Sequence, residues 1–234
     1  MSTRLLLVSV LFGGGFIMLI YWFVVGSIVG SFLNVMVERT VSHQNFIVGR
    51  SHCSRCRVTL KWYELIPIVS YLIQLGKCRK CKVHLPFHLF YFECTTALTF
   101  TLFPPINLSN GKNLCLLLLI QISATFDLLT YHFPLPNSVI SLALAVTISS
   151  QSFAIIFLEI LCYLILIIIN QHAHLIGDGD LDLFLILTIA HGILLTNLVI
   201  LIGSLLAIIY SFIMTKHVIA FVPFIYTALL IVLI

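Results

Sequence analysis

Long apolar runs dominate what this chain can become. The stretches at 16–37, 88–105, 113–129, 138–150, 153–169, 182–195, 197–214 and 221–234 carry at most one charged residue each. A helix needs about 20 such residues to cross ~30 Å of hydrocarbon. The whole chain is 61% hydrophobic and 9% charged, against roughly 45–50% and 25% in soluble domains. In lipid every backbone polar group must be satisfied within the protein, which leaves helices or closed barrels. Continuous Leu/Ile runs lack the alternation of barrel strands. The pattern therefore predicts an all-α polytopic integral membrane protein with about eight transmembrane helices in the lipid bilayer. The runs at 138–150, 182–195 and 221–234 are short for spans. Residues 1–15 hold Arg4, an apolar run and three glycines. Without a small-residue cleavage site after them, they read as a lead-in to the first span.

Charge sets the expected orientation. Nine of the twelve Lys and Arg residues (Arg39, Arg50, Arg55, Arg57, Lys61, Lys77, Arg79, Lys80 and Lys82) fall in the one long polar loop between the first two spans. Basic loops stay in the cytosol. This puts the loop inside, the N-terminus outside and the chain in the plasma or inner membrane as a multi-pass protein. Counting spans onward, the chain returns to the cytosolic side near residue 127, again near 175 and again at Lys216. Three segments follow: an N-terminal transmembrane helix at 1–37, a cytosolic loop domain at 38–87 and a multi-helix membrane body at 88–234. A basic loop beneath an anionic leaflet gains attraction to the membrane surface. Lacking aromatic stacking platforms or a basic helix, it does not read as a nucleic-acid binder.

Within the loop stand Cys53-x-x-Cys56 and Cys78-x-x-Cys81, separated by 21 residues. Two such knuckles at this distance match a tetrahedral zinc site. Arg55, Arg57, Arg79 and Lys80 beside them favour thiolates over thiols. Disulfides are the alternative, and a reducing cytosol disfavours them. Four cysteine ligands leave no open position for water, so the zinc is structural. His52, His84 and His88 then read as surface histidines. Cys94, Cys115 and Cys162 are scattered singly in apolar spans, as small hydrophobes are.

The chain has only four aspartates: Asp127 at the end of the third span, and Asp178, Asp180 and Asp182 just before the sixth. Ser123, Asp127 and Thr130 share one helix face, a polar stripe suited to the bundle interior. Pro134 and Pro136 end that helix. Gly177 and Gly179 frame Asp178 and Asp180, allowing close approach or unusual dihedrals. Both aspartate sites fall on the same membrane face in the span count. Two carboxylates sharing one low-dielectric place hold a proton between them, and such a pair activates water against an amide. Alternatives remain at this point: cation-binding carboxylates of a transporter or ion-conducting protein, a divalent-cation cluster at 178–182, or acidic residues at a helix N-terminus. In the first span, Gly26 and Gly30 form a small-xxx-small step. Ser27, Ser31, Asn34 and Glu38 make a polar ridge, read as inward hydrogen bonding, with contact of Asn34 to a substrate as the alternative.

Taken together, these stretches resemble the type IV prepilin peptidases, membrane aspartic endopeptidases of the GxGD kind. The matching segments are "GSFLNVMVER" at 30–39, the cysteine knuckles with "WYELIPIVSYL" and "LGKCRKC", Glu93, "DLLTYHFPLPN" at 127–137, "GDGD" at 177–180 and the shorter "FVPFIY" at 221–226. The resemblance implies that Asp127 and Asp180 are the catalytic aspartates, with Gly177, Gly179 and Pro134 as supporting motif residues. It implies prepilin or pseudopilin precursors as substrates, cut after a glycine at the cytosolic face. It also implies methylation of the new N-terminus from S-adenosylmethionine, tied to the loop and to Gly76, although Gly76 alone reads as a turn into the second knuckle. The family often has lysine where this chain has Asp182, an added negative charge beside Asp180.

Overall fold

The computed structural model of the chain describes residues 15–45, 49–173, 176–215 and 218–234. The N-terminal lead-in and the expected return at Lys216 fall outside the described residues. Among the described residues the structure is helical, with no strand beyond two isolated antiparallel bridges, His52 to Thr59 and Lys77 to His84. It divides into two compact units, Met1–Pro105 and Ile106–Ile234.

The first unit contains α1 (Gly15–Val41), a 3-10 turn at Trp62–Leu65, α2 (Val69–Ile73) and α3 (Phe87–Leu102). α1 buries Gly26, Ser27, Gly30, Asn34 and Val37, a stripe with helical spacing, and this stripe packs on α3. The glycines are there for proximity. A Cβ on Gly26 would lie 2.7 Å from the Thr96 carbonyl oxygen, and one on Gly30 would lie 2.5 Å from Thr96 Oγ1. In a membrane, helices associate through such close contact because lipid is already apolar. α3, grouped with the membrane body on sequence grounds, thus clusters with α1 and the loop.

The loop between α1 and α3 repeats one local device. Cys53 N–H donates to Val58 O and Arg57 N–H to Cys53 O; in the second knuckle Cys78 N–H donates to Val83 O and Lys82 N–H to Cys78 O. The residue after each second cysteine is left-handed, Arg57 at φ 52° and Lys82 at φ 58°. Both knuckles therefore fold back in the same way and aim their thiols inward.

The second unit contains α4 (Leu108–Thr130), α5 (Leu135–Ile148), α6 (Phe153–Ala173), α7 (Asp178–His191), α8 (Ile193–Met214) and α9 (Val222–Leu233). α4 packs on α5 and α9, α7 on α5, α6 and α8, and α9 on α8. α4 stops where Tyr131 turns left-handed at φ 57° and donates its N–H to Asp127 O. Pro136 and Pro223 sit in the first turns of α5 and α9, where a missing N–H is harmless. Buried Tyr226 of α9 donates its hydroxyl to Gln121 Oε1 of α4 at 3.2 Å, so the polar groups between these helices are paired.

Helices stand at all eight positions that the apolar runs mark. Four of them, α1, α4, α6 and α8, are long and apolar enough to cross a membrane. α5, with 14 residues, rises only about 21 Å, and α3, α7 and α9 are also short of the usual spanning length. Phe157, Leu164 and Ile168 on α6 are exposed, as a lipid-covered helix requires.

Candidate active site and metal centre

α4 carries Asp127 in its last turn. Asp127 Oδ2 accepts the backbone N–H of Val222 at 3.1 Å, from the first turn of α9. Free N–H groups at a helix start attract a carboxylate, so this bond fixes the carboxyl's direction. Ser123, one turn back, is buried and accepts Asn137 Nδ2 at 2.5 Å. Thr130 is half-buried and donates to Phe126 O. The stripe predicted for this helix face is therefore polar and inward at Ser123 and partly turned outward beyond it.

α7 begins at Asp178, with Gly177 at its N-cap and Asp178 and Asp180 in its first turn. The two glycines supply room. A Cβ on Gly179 would lie 2.4 Å from Phe133 Cβ, and one on Gly177 would lie 3.2 Å from Asp180 Oδ2. Gly177 has φ −64°, a value open to any residue, so close approach is the reason for glycine here. The contact at Gly179 seats the 131–134 turn against the start of α7. Asp127, Tyr131, Phe133, Asp178, Asp180, Asp182 and Val222 consequently line one pocket of about 270 Å³, and Asp180 feels the charge of Asp127.

Sequence reasoning missed two residues of α6. Tyr163 donates its hydroxyl to Asp182 Oδ1. Asn170 Nδ2 donates to Asp178 Oδ1 at 3.0 Å and to Ile176 O at 2.7 Å, while its Oδ1 accepts the Ile176 N–H at 3.0 Å. These side chains stand seven residues apart, two turns along one face of an otherwise apolar helix. That spacing was the available signal.

In the first unit the four loop cysteines converge. Cys53 Sγ lies 3.8 Å from Cys81 Sγ, and Cys56 Sγ lies 4.0 Å from Cys78 Sγ; all four sulfurs are within 4.8 Å of one another. A tetrahedron of Zn–S bonds about 2.3 Å long has edges of about 3.8 Å. None of the four is in a disulfide. The backbone N–H groups of Cys56 and Arg55 pull the Cys53 thiol down to about 6. At Cys81 the Val83 N–H pulls down, but burial and the neighbouring thiols of Cys78, Cys56 and Cys53 outweigh it and push the thiol up to about 11. Four clustered sulfurs resist complete ionisation until a cation shares their charge, so the donor set fits a metal such as zinc.

Gly76 is buried at φ +65° and donates its N–H to Tyr71 O. It closes the turn after α2 and leads into the second knuckle. His88, expected at the surface, is instead mostly covered and faces Glu38 across 3.2 Å, Nε2 to Oε1.

Residues 24–104 match the family model for the Bacterial Peptidase A24 N-terminal domain. Over 81 residues the chain is 41% identical to the Prepilin leader peptidase/N-methyltransferase of Myxococcus xanthus, covering 35% of this chain and 24% of that protein. Over 83 residues it is 42% identical to the protein of the same name from Bacillus subtilis, covering 36% and 34%. With the Vibrio cholerae protein of that name it shares 33% over 86 residues, covering 33% and 34%. These matches make this part of the chain similar to stretches of proteins named prepilin leader peptidase/N-methyltransferase. The chain spans about a quarter to a third of the length of these curated relatives. No solved structure matches it. The A24 N-terminal domain model covers α1 from residue 24, the cysteine loop and α3; the aspartate pocket lies beyond it.

Proposed function

We propose that the chain is a membrane aspartic endopeptidase that removes the leaders of type IV prepilins or pseudopilins, with Asp127 and Asp180 as its catalytic pair. One observation carries this reading: every aspartate in the chain, Asp127 and Asp180 among them, lines a single pocket. Like charges so placed share one proton. The ionised member takes a proton from water as the water oxygen bonds to the scissile carbonyl carbon. The protonated member gives its proton to the carbonyl oxygen. Collapse of the tetrahedral intermediate, with proton transfer to nitrogen, then breaks the C–N bond and releases carboxyl and amine products. The Val222 N–H orients Asp127, while Gly179 lets Phe133 seat the 131–134 turn against α7.

In this reading, cleavage follows a glycine at the cytosolic face of the plasma or inner membrane, with the N-terminus outside. The segments 1–37, 38–87 and 88–234 act as anchor, metal-folded loop and peptidase body. Zinc, when bound, supplies a fixed cross-link between the knuckles; the cysteines hold it and the loop keeps its shape. Methylation of the new N-terminus from S-adenosylmethionine is a second activity that we assign to the first unit, on the relatives' printed name. Gly76 contributes there as a turn residue.

The test is co-expression with a candidate prepilin, following leader removal by gel shift. Asp127→Asn and Asp180→Asn are each expected to abolish processing at unchanged protein level. Full processing by either variant would exclude the pair.

A further inference from the structure

The middle of the cysteine loop is apolar and uncovered. Trp62, Leu65, Val69, Leu72, Ile73 and Leu75 are all exposed, with Trp62 and Ile73 at 77% and Leu75 at 81%. Single exposed apolar side chains are ordinary, but a contiguous run of them marks an interaction surface. The charge around this run is one-sided. Between 61 and 82 stand five Lys and Arg residues and one acid, Glu64, and Lys61, Lys77, Arg79 and Lys80 are exposed.

Contacts to α3 fix how deep the run sits. Ile68 N–H donates to Glu93 Oε2 at 2.7 Å, and the Tyr71 ring stacks on Phe90 with centroids 5.0 Å apart. The segment therefore lies beside the first two turns of α3. α3 runs antiparallel along α1: Asn34 Nδ2 donates to Leu89 O at 3.3 Å, while Gly30 and Gly26 meet Phe92 and Thr96. Phe90 and Glu93 are thus level with the turn of α1 from Gly30 to Asn34. That turn lies inside the apolar run 16–37, about 5–10 Å from its end at 1.5 Å per residue. Amphipathic segments at a membrane interface bury to about the same 5–10 Å. Phe32, in that turn, is exposed, so the lipid-facing surface of α1 and the apolar face of the loop share one level.

We propose that residues 62–75 form a lipid-docking segment immersed in the leaflet around the C-terminal part of α1. Trp62, Leu72, Ile73 and Leu75 enter the upper acyl chains, and Lys61, Lys77 and Lys80 meet anionic phosphate headgroups. Depth and charge together select this partner, because α1 needs hydrocarbon at this level and the cations need anions at its edge. Trp62 and Tyr63 stand where interfacial aromatics do. Lys61 Nζ and the Arg79 guanidinium lie over the Tyr63 ring, 5.8 and 5.6 Å from its centroid, which holds two cations at that boundary. The bilayer is then one wall of the loop domain, and the loop is anchored in the membrane as well as attracted to its surface. This holds whether or not the aspartate pair is catalytic.

The full chain, purified and reconstituted in phosphatidylcholine vesicles, tests the proposal through its own fluorescence. Its two tryptophans are Trp22 and Trp62. Trp22→Phe leaves Trp62 as sole reporter, and subtracting the Trp62→Phe spectrum from the parent's gives the same signal if the first substitution disturbs α1. Circular dichroism and zinc content matching the parent's report a folded loop in each variant. Trp62 emission is expected to be blue-shifted, quenched by lipids brominated high on the acyl chain, and roughly fivefold less quenched by aqueous iodide than free tryptophan, as immersion requires. Brominated phosphatidylglycerol should quench more than brominated phosphatidylcholine at equal mole fraction, and Lys77→Gln with Lys80→Gln should remove that excess. Emission typical of water, with full access to iodide, would overturn the inference. So would shielding that appears only when a candidate prepilin is added, since the face would then belong to a protein partner. Equal quenching by the two brominated lipids would overturn the anionic partner.

Discussion

The two units concentrate acid in opposite ways. In the second, four short aspartates sit at helix ends, where a glycine against Phe133 and a backbone N–H from α9 bring them together. In the first, three longer glutamates line a cavity formed by α1, α3 and the loop that carries the cysteine knuckles. Helix packing alone holds one arrangement. The other depends on a loop with few buried apolar side chains, in which Cys53 and Cys78 stand among the best-covered residues. Unit 2 should therefore be insensitive to metal, and unit 1 should not.

Metal removal gives the largest contrast. Structural zinc contributes about 10 kcal/mol or more to small cysteine modules, far above what a loop this size gains from its own packing. Cys78→Ser, or exhaustive chelation, is expected to drop bound zinc from about one per chain to none and to open the loop to protease between residues 49 and 86. The helices of the second unit should stay resistant in the same digest. Protection of the loop without metal would break the comparison from the side of unit 1.

Neutralising the aspartates comes next. General acid and base groups contribute about 10²- to 10⁴-fold each, so Asp127→Asn or Asp180→Asn should slow leader removal by at least about a hundredfold in a timed gel-shift assay. Zinc content should not change in either variant. A variant that loses both processing and zinc would show that the units are not independent in the sense drawn here.

A smaller effect is expected from Gly179→Ala. The added Cβ would fall 2.4 Å from Phe133 Cβ, and overpacking of this kind costs about 1–3 kcal/mol. The turn at 131–134 must shift away from α7, carrying Asp127's end of the pocket with it. Processing should fall by roughly one to two orders of magnitude, and Phe133→Ala in the same chain should restore part of it by making room. Rescue is the informative measurement, since simple unfolding would not be relieved by deleting a second side chain.

Much of this was legible in the chain, for identifiable reasons. Helix positions follow from runs of Leu and Ile, because hydrocarbon enforces helical backbone wherever it is crossed. The knuckles follow from cysteine spacing, and the end of α4 from Pro134. What was not legible came from tertiary pairing. α3 lies beside α1 because Gly26 and Gly30 meet Thr96, and no span count reveals which neighbour a helix chooses. His88 read as surface until Glu38 was found opposite it. Gly179 read as close approach or unusual dihedrals, and only the fold shows that it is Phe133 that approaches.

The smallest predicted effect concerns Tyr163, one of the two polar residues of α6 that composition hid. Its hydroxyl donates to Asp182, the position that adds a negative charge to the pocket. Tyr163→Phe removes a single donor and keeps the ring in place, so the change is confined to one hydrogen bond to a charged group, worth about 1.5–3 kcal/mol when intact. Part of that loss is recovered if water reaches the freed oxygen of Asp182 from the pocket it lines. Leader removal should therefore slow by about tenfold or less, well below the effect of Asp127→Asn. Asp182→Asn in the Tyr163→Phe background distinguishes the causes. If the tyrosine acts by restraining that carboxylate, removing the charge should cancel most of the defect and the two substitutions will not add. If the defects add instead, Tyr163 acts through α6 packing, and the acids of the second unit are held by their own helix ends alone.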